Sequence, residues 1–218
     1  MSTLQIVLTT SIFVVLIIGF TIFFVLKYKA NKVKKEYIDQ MKKFENPEPI
    51  KIDNIFNELI SDSDWHNEDF EFILNTIKIN NYKKTFFWGK KLYSFLVNNF
   101  HNPNLENYYC DNKLTSFDKE EFSSIALKTN QKIETKQNIL FDNLKEHNFD
   151  FIYIDFYDEN QNLFQSFYEK LNKKGMLVFK DKFSKKESLK ISKKLTELKI
   201  KYQFYKNGNY YLLVIAKI

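Results

Sequence analysis

The pattern of apolar positions divides the chain into an N-terminal apolar run, a polar stretch and a longer region of mixed helix and strand patterns. From Leu4 to Leu26 the residues are apolar apart from Gln5 and a few hydroxyl side chains. A helix rises about 1.5 Å per residue, so a run of this length crosses a hydrocarbon core of about 30 Å. Residues 1–26 are therefore predicted to form a transmembrane anchor.

Lysines directly follow this run, at Lys27, Lys29, Lys32, Lys34 and Lys35. Lysines at one end of a span hold that end in the cytoplasm, and the uncharged Met1–Thr3 argues against a cleaved signal peptide. The sequence thus predicts a single-pass cell-membrane protein with its N-terminus outside and its C-terminal domain in the cytoplasm. Residues 27–50 are predicted to form a basic juxtamembrane helix, whose lysines meet lipid head groups, and a linker containing Pro47 and Pro49.

Residues 51–218 are predicted to form one α/β domain. Helical stripes over 52–60 and 70–77 open it, and β-rich runs then alternate with helical patterns. The helical patterns lie around 92–96, 122–126 and 164–171, and the middle one is the shortest and weakest. The predicted strands are 85–88, 105–110, 149–154, 176–179, 202–205 and 210–216, and Asn207-Gly208 joins the last two as a hairpin. This order predicts a mostly parallel, Rossmann-like sheet with a C-terminal antiparallel hairpin.

The net charge of +6 is distributed unevenly along the chain. Seven lysines against three acids in residues 27–45 place +4 beside the predicted anchor and leave +2 for the rest. The basic balance therefore belongs mainly to the anchor, and nucleic acid is not a predicted partner. The single cysteine, Cys110, forms no internal disulfide, and the three histidines show no metal-ligand spacing with it.

The stretch 149–182 reads FDFIYIDFYDENQNLFQSFYEKLNKKGMLVFKDK. It resembles the fourth strand, following helix and fifth strand of class I SAM-dependent methyltransferases, in particular the small caffeoyl-coenzyme A type O-methyltransferases. Their pattern is F-D-hydrophobic-I-D, a helix, then L-K-x-G-G and a hydrophobic strand. The whole chain is similar to membrane-anchored methyltransferases of AT-rich, wall-less bacteria. The resemblance implies S-adenosyl-L-methionine (SAM) as cofactor and a small-molecule or protein substrate that the sequence does not identify.

The resemblance places most of the cofactor chemistry in the loop after the first strand, Trp88-Gly89-Lys90-Lys91. The family has an acidic residue and several glycines there, which let the backbone approach the methionine end of SAM. This chain keeps Gly89 alone, and its two lysines gain nothing from a cationic sulfonium. Trp88 and Gly89 are the cofactor-binding residues predicted for this loop.

Two acids complete the predicted cofactor site. Asp111 ends the second strand, where the family places an acid that bonds the ribose hydroxyls; a turn aspartate before Asn112 is the alternative reading. Asp155 ends the strand at 149–154 and matches a family position that faces the active site. Asp111 and Asp155 are therefore predicted to contact the cofactor.

No metal site is predicted. In metal-dependent members of the family, Asp155 and Asp181 match two of the ligands. The third is normally an asparagine and falls on Lys182, whose ammonium has no lone pair to donate. An ion pair between Lys182 and Asp181 is the structural alternative.

Three functions remain open from the sequence. The first is a membrane-tethered SAM-dependent methyltransferase. The second is a catalytically inactive, methyltransferase-like interaction module at the membrane, which the altered loop favours. The third is a nucleotide or phosphate-binding domain, because Lys90 and Lys91 at a helix N-terminus suit an anion.

Overall fold

The computed structural model describes residues 19–30, 32, 50–59, 66–156, 163–207 and 210–218. The chain divides into two units, Met1–Glu48 and Pro49–Ile218. In the first unit a helix covers 19–30, and all of its side chains are exposed. Among the described residues, no helix combines the length and the apolar character that a bilayer crossing needs. Most of the predicted anchor, residues 1–18, lies outside the described part of the chain, and so does most of the predicted juxtamembrane helix and linker, residues 31 and 33–49.

The second unit is built on one six-stranded sheet with helices on both faces. Its elements, in chain order, are α1 (Asn54–Leu59), α2 (Asn67–Ile79), β1 (Lys84–Trp88), α3 (Tyr93–His101), β2 (Glu106–Cys110), α4 (Ser116–Lys128), two 3-10 helices (Thr135–Gln137 and Phe141–Glu146), β3 (Phe149–Ile154), α5 (Leu163–Glu169), β4 (Leu171–Asp181), α6 (Lys185–Glu197), β5 (Lys201–Asn207) and β6 (Tyr210–Ala216).

The sheet order is β2-β1-β3-β4-β6-β5. The first four of these strands are parallel, and β6 and β5 pair antiparallel at one edge. The chain starts at β1, moves outward to β2 and then crosses back to β3, so the direction of winding reverses between β1 and β3. The predicted fold class, a mostly parallel Rossmann-like sheet with an antiparallel C-terminal hairpin, is confirmed.

Helices cover both sides of the sheet, so the central strands are buried on both faces. Successive side chains of a strand point to opposite sides and therefore enter different cores. Phe87 and Tyr153 belong to the core beneath α1 to α4. Phe86 and Ile154 belong to the core on the opposite face, beneath α5 and α6. This alternation decides which side chains at the strand ends share a face.

Two predicted elements differ from those observed. The weak pattern at 122–126 belongs to a longer helix, the 13-residue α4. Thr115 caps the N-terminus of α4 by accepting the Asp118 N–H, which stabilises a helix whose apolar pattern is weak. The helix predicted to reach Leu171 ends at Glu169, and Leu171 already pairs with Phe149 in the sheet.

Candidate functional site

The carboxyl ends of β1, β2, β3 and β4 form one edge of the sheet, since these strands are parallel. Open α/β sheets bind ligands at this edge, beside the point where the strand order reverses. That point lies between β1 and β3, where Gly89 and Asp155 follow the strands. Asp111 follows β2 at the same edge, so the structure brings three of the predicted cofactor residues to one side of the sheet.

Gly89 and Asp155 are in direct contact. The Asp155 N–H donates to the Trp88 carbonyl oxygen at 3.1 Å, which extends the pairing of β3 with β1. The Asp155 carboxylate then accepts the Lys90 N–H, at 2.8 and 3.1 Å to its two oxygens, and also the Lys91 N–H. A Cβ placed on Gly89 would lie 2.3 Å from the carboxyl atoms of Asp155. The loop after β1 therefore closes around this carboxylate, and only glycine fits at the contact.

The environment of Asp155 makes its charged form less favourable than that of an exposed aspartate. Burial raises the pKa of Asp155 to about 6, although the amides of Lys90 and Lys91 and the charge of Lys180 act in the opposite direction. A titratable group with a shifted pKa in a crevice is a common feature of functional sites. Asp155 is thus the carboxylate at this edge most sensitive to pH near neutrality.

Asp155→Asn is expected to raise the free energy of unfolding at pH 7 by about 1–2 kcal/mol, since the amide avoids the cost of desolvating a charge at this half-buried position and its oxygen still accepts the Lys90 N–H. An unfolded aspartate has a pKa of about 3.9, so between about pH 4 and pH 6 the folded chain binds more protons than the unfolded chain. The stability of the unmodified protein should therefore fall as pH rises through this window. Urea unfolding at several pH values measures both effects.

The exposed Glu120→Gln variant is the control for this comparison, because Glu120 lies on α4 and is exposed. It should unfold like the unmodified protein at every pH. If Asp155→Asn keeps the decline between pH 4 and pH 6, another group is responsible for it.

The second half of the loop is fixed by α4. The Lys91 ammonium lies 2.7 Å from carboxylate oxygens of both Asp118 and Glu121. Tyr93, the first residue of α3, donates its hydroxyl to Glu121 at 2.6 Å. Lys91 is thus compensated by two acids, which weakens its attraction for a phosphate.

Trp88 points to the opposite face from Gly89. Its indole N–H donates to the side chain of Asn112 at 2.6 Å, and its ring packs against Phe141, Phe156 and Phe167 at centroid distances of 4.8–5.4 Å. Trp88 is 2% exposed. It therefore links the loops after β1, β2 and β3 on the face of the sheet that α5 and α6 cover. This arrangement does not test the prediction that Trp88 contacts a cofactor.

Asp111 stands at the end of β2 as predicted. Lys119 lies 2.8 Å from its carboxylate, and Asn138 also hydrogen-bonds to it. Burial alone would raise the pKa of Asp111, but these two partners hold it below the usual value. Asp111 is ionised at neutral pH and partly exposed, so it can accept hydrogen bonds from a diol.

A buried ion pair that was not predicted from the sequence lies on the same face as Asp155. Lys180 near the end of β4 pairs with Asp69 in the first turn of α2, and the two side chains are 4% and 1% exposed. The Tyr153 hydroxyl is buried nearby, and burial followed by the charges of Asp69 and Asp155 raises its pKa far above the usual value. A lysine in the apolar run Val178-Phe179-Lys180 is the sequence signal that could have revealed the pair.

The end of β4 offers no set of metal ligands. The Lys182 N–H donates to Asp181 at 2.7 Å, and the Lys182 ammonium lies 4.9 Å from the centre of the Tyr210 ring. Within the described residues, no three His, Cys, Asp or Glu side chains come together in a way that could hold an ion.

The fold is that of the class I SAM-dependent methyltransferases, as the resemblance predicts. The chain is similar to an O-methyltransferase from Bacillus cereus in complex with SAH, with 13% identity over 77% of this chain and 93% of that one and a TM-score of 0.55. A putative caffeoyl-CoA O-methyltransferase from Staphylococcus aureus matches with 13% identity over 84% and 99%, again with a TM-score of 0.55.

The O-methyltransferase TomG from Streptomyces achromogenes, which is involved in tomaymycin synthesis and was solved in complex with SAM, matches with 9% identity over 78% of this chain and 92% of its own length, with a TM-score of 0.55. No protein-family model and no curated protein sequence matches the chain. At this level of identity the similarity defines the fold and leaves the activity to the site.

Proposed function

We propose that the chain is a membrane-anchored SAM-dependent methyltransferase. The observation that supports this most directly is the contact of Asp155 with Gly89 at the reversal of the strand order. It places a carboxylate of raised pKa in the crevice where this fold binds its ligands.

The groups at the sheet edge match parts of SAM. The amino acid end of SAM bears an ammonium, which suits the Asp155 carboxylate, and a carboxylate, which suits the amides of Lys90 and Lys91. Asp111 suits the ribose diol, because it is ionised and partly exposed. In the structure those amides donate to the Asp155 carboxylate. SAM binding therefore requires the SAM carboxylate to share the amides or to displace the Asp155 carboxylate from them.

Methyl transfer depends mainly on alignment of the acceptor with the sulfonium, so it requires no catalytic triad. The SAM cation would supply the methyl group. The residues of this chain would hold the cofactor and exclude water from it. The buried pair of Asp69 and Lys180 joins the first turn of α2 to the end of β4, on the face of the sheet that contains Asp155.

The anchor is the second part of the proposal. Apolar side chains are exposed on all sides of the helix at 19–30, among them Phe20, Phe23 and Leu26. Exposed apolar residues all round a helix are typical of a segment in lipid. The full chain should therefore stay in the membrane fraction after alkaline carbonate extraction; release into the supernatant would contradict the anchor.

Isothermal titration of the full chain with SAM, and with SAH as the product, tests the cofactor. We expect saturable binding of both, and Asp111→Asn should weaken it about 10- to 100-fold, because a charged hydrogen bond to the diol is lost. Glu120→Gln makes the same charge change on the exposed face of α4 and should leave affinity unchanged.

The titrations also distinguish the two alternative functions. If neither SAM nor SAH releases heat or shifts the melting temperature, the methyltransferase proposal fails and the inactive interaction module is favoured. Binding of a nucleoside triphosphate that is lost in Lys90→Gln would support the phosphate-binding alternative.

A further inference from the structure

The positive charge of the second unit is concentrated on and around α6. Residues 182–201 contain eight lysines and two acids, a net charge of +6. The rest of residues 51–218 contains 18 lysines and 21 acids, a net charge of −3. The small net charge of the domain therefore conceals one strongly basic segment beside an acidic remainder.

The geometry of α6 turns these lysines outward. Ile191 and Leu195 bury one side of the helix in the core beneath β4 and β6. Lys186, Lys190 and Lys193 recur at intervals of four and three residues, so they share the opposite, exposed side. Glu197 lies on the same side, with its carboxylate 4.0 Å from the Lys193 ammonium, so three lysines there face one acid. We refer to these three lysines, with Leu189, as the α6 basic face.

Two exposed leucines accompany the lysines. Leu189 is 63% exposed on α6, and Leu198 is 53% exposed just beyond its end. Lysines that surround exposed aliphatic side chains match the interface of an anionic bilayer, where the charges meet head groups and the leucines enter the acyl boundary. A nucleic-acid surface would instead gain from aromatic side chains that stack on bases, and the α6 basic face has none.

We propose that the α6 basic face docks the domain on a membrane surface that contains anionic lipids. This contact is separate from the anchor, because it depends on folded residues of the second unit. Helix α6 begins directly beyond the carboxyl end of β4. The docked face would therefore start at the same sheet edge as Asp155.

A fluorescent probe at residue 189 tests the docking. The full chain carrying Leu189→Cys, labelled with an environment-sensitive dye, is placed in nanodiscs of phosphatidylcholine alone or with added phosphatidylglycerol. We expect a blue shift, and quenching by spin-labelled lipid, only when phosphatidylglycerol is present. Because Cys110 is buried, the unmodified chain should take up little dye and gives the background.

Two matched controls define the result. A dye at Leu127, which is 82% exposed on the opposite face of the sheet, should read the same in both nanodiscs. Changing Lys186, Lys190 and Lys193 together to glutamine should lower the docking equilibrium about 100-fold, since each lysine near an anionic surface contributes about 1 kcal/mol. The same change at the exposed Lys51, Lys128 and Lys132 should have a much smaller effect.

A spectrum at residue 189 that is indifferent to phosphatidylglycerol would overturn the proposal. So would a response to an oligonucleotide with none to lipid, because the face would then be a nucleic-acid site. Loss of SAM binding leaves this readout unaffected, so the docking and the methyltransferase proposals can fail separately.

Discussion

Replacing Lys180 by methionine is expected to lower the free energy of unfolding by about 3–5 kcal/mol, because it leaves the buried Asp69 carboxylate without its cation. Both side chains are almost fully buried, and they join α2 to β4 across the face that contains Asp155. The change should also reduce SAM binding if α2 shapes the site. Urea denaturation at pH 7 measures the stability.

The double variant Asp69→Leu with Lys180→Met provides the decisive comparison. Replacing a buried pair by apolar residues of similar volume is often neutral or stabilising, so the second change should restore most of the loss. Lys193→Met breaks the exposed pair with Glu197 and should cost less than about 0.5 kcal/mol. If Lys180→Met and Lys193→Met unfold alike, the pair of Asp69 and Lys180 does not hold α2.

Gly89→Ala is expected to lower the free energy of unfolding by about 1–3 kcal/mol and to abolish SAM binding, because its Cβ would lie 2.3 Å from the Asp155 carboxyl atoms. Either the loop or the carboxylate must then move, and the hydrogen bonds from the amides of Lys90 and Lys91 are lost. Thermal unfolding and SAM titration of the variant measure the two effects.

Gly19→Ala is the matched control, since a Cβ at Gly19 meets no atom within 4 Å. It should unfold at or slightly above the temperature of the unmodified chain, because alanine favours a helix more than glycine does. Combining Gly89→Ala with Asp155→Ala removes the carboxyl group and should recover most of the stability. A Gly89→Ala variant that binds SAM normally would place the cofactor elsewhere.

The strands could be predicted because their physical signal is local. β-rich apolar runs and the Asn-Gly pair depend on neighbouring residues, and all six predicted strands appear in the sheet. Parallel strands in turn require that their carboxyl ends meet, so Gly89, Asp111 and Asp155 could be assigned to one edge before their contacts were known.

Contacts between distant residues could not be predicted in this way. Asp69 and Lys180 are 111 residues apart, and nothing near either one specifies the other. The two acids that compensate Lys91 lie on α4, a helix whose own apolar pattern was weak. From the sequence, both loop lysines suggested a phosphate site. In the structure Lys91 is already paired with these two acids.

The sequence by itself determined the order of helices and strands, the parallel sheet with its final hairpin, and the three positions that end at the site. The elements follow from periodicity and from turn chemistry, and the three positions follow from the resemblance to the methyltransferase family. Only the tertiary structure decided that Asp155 fills the space against Gly89, that Trp88 faces the opposite core, and that the side of α6 bearing Lys186, Lys190 and Lys193 is exposed. Those facts depend on which side of the sheet each residue occupies and on what packs against it, and packing is a property of the whole fold.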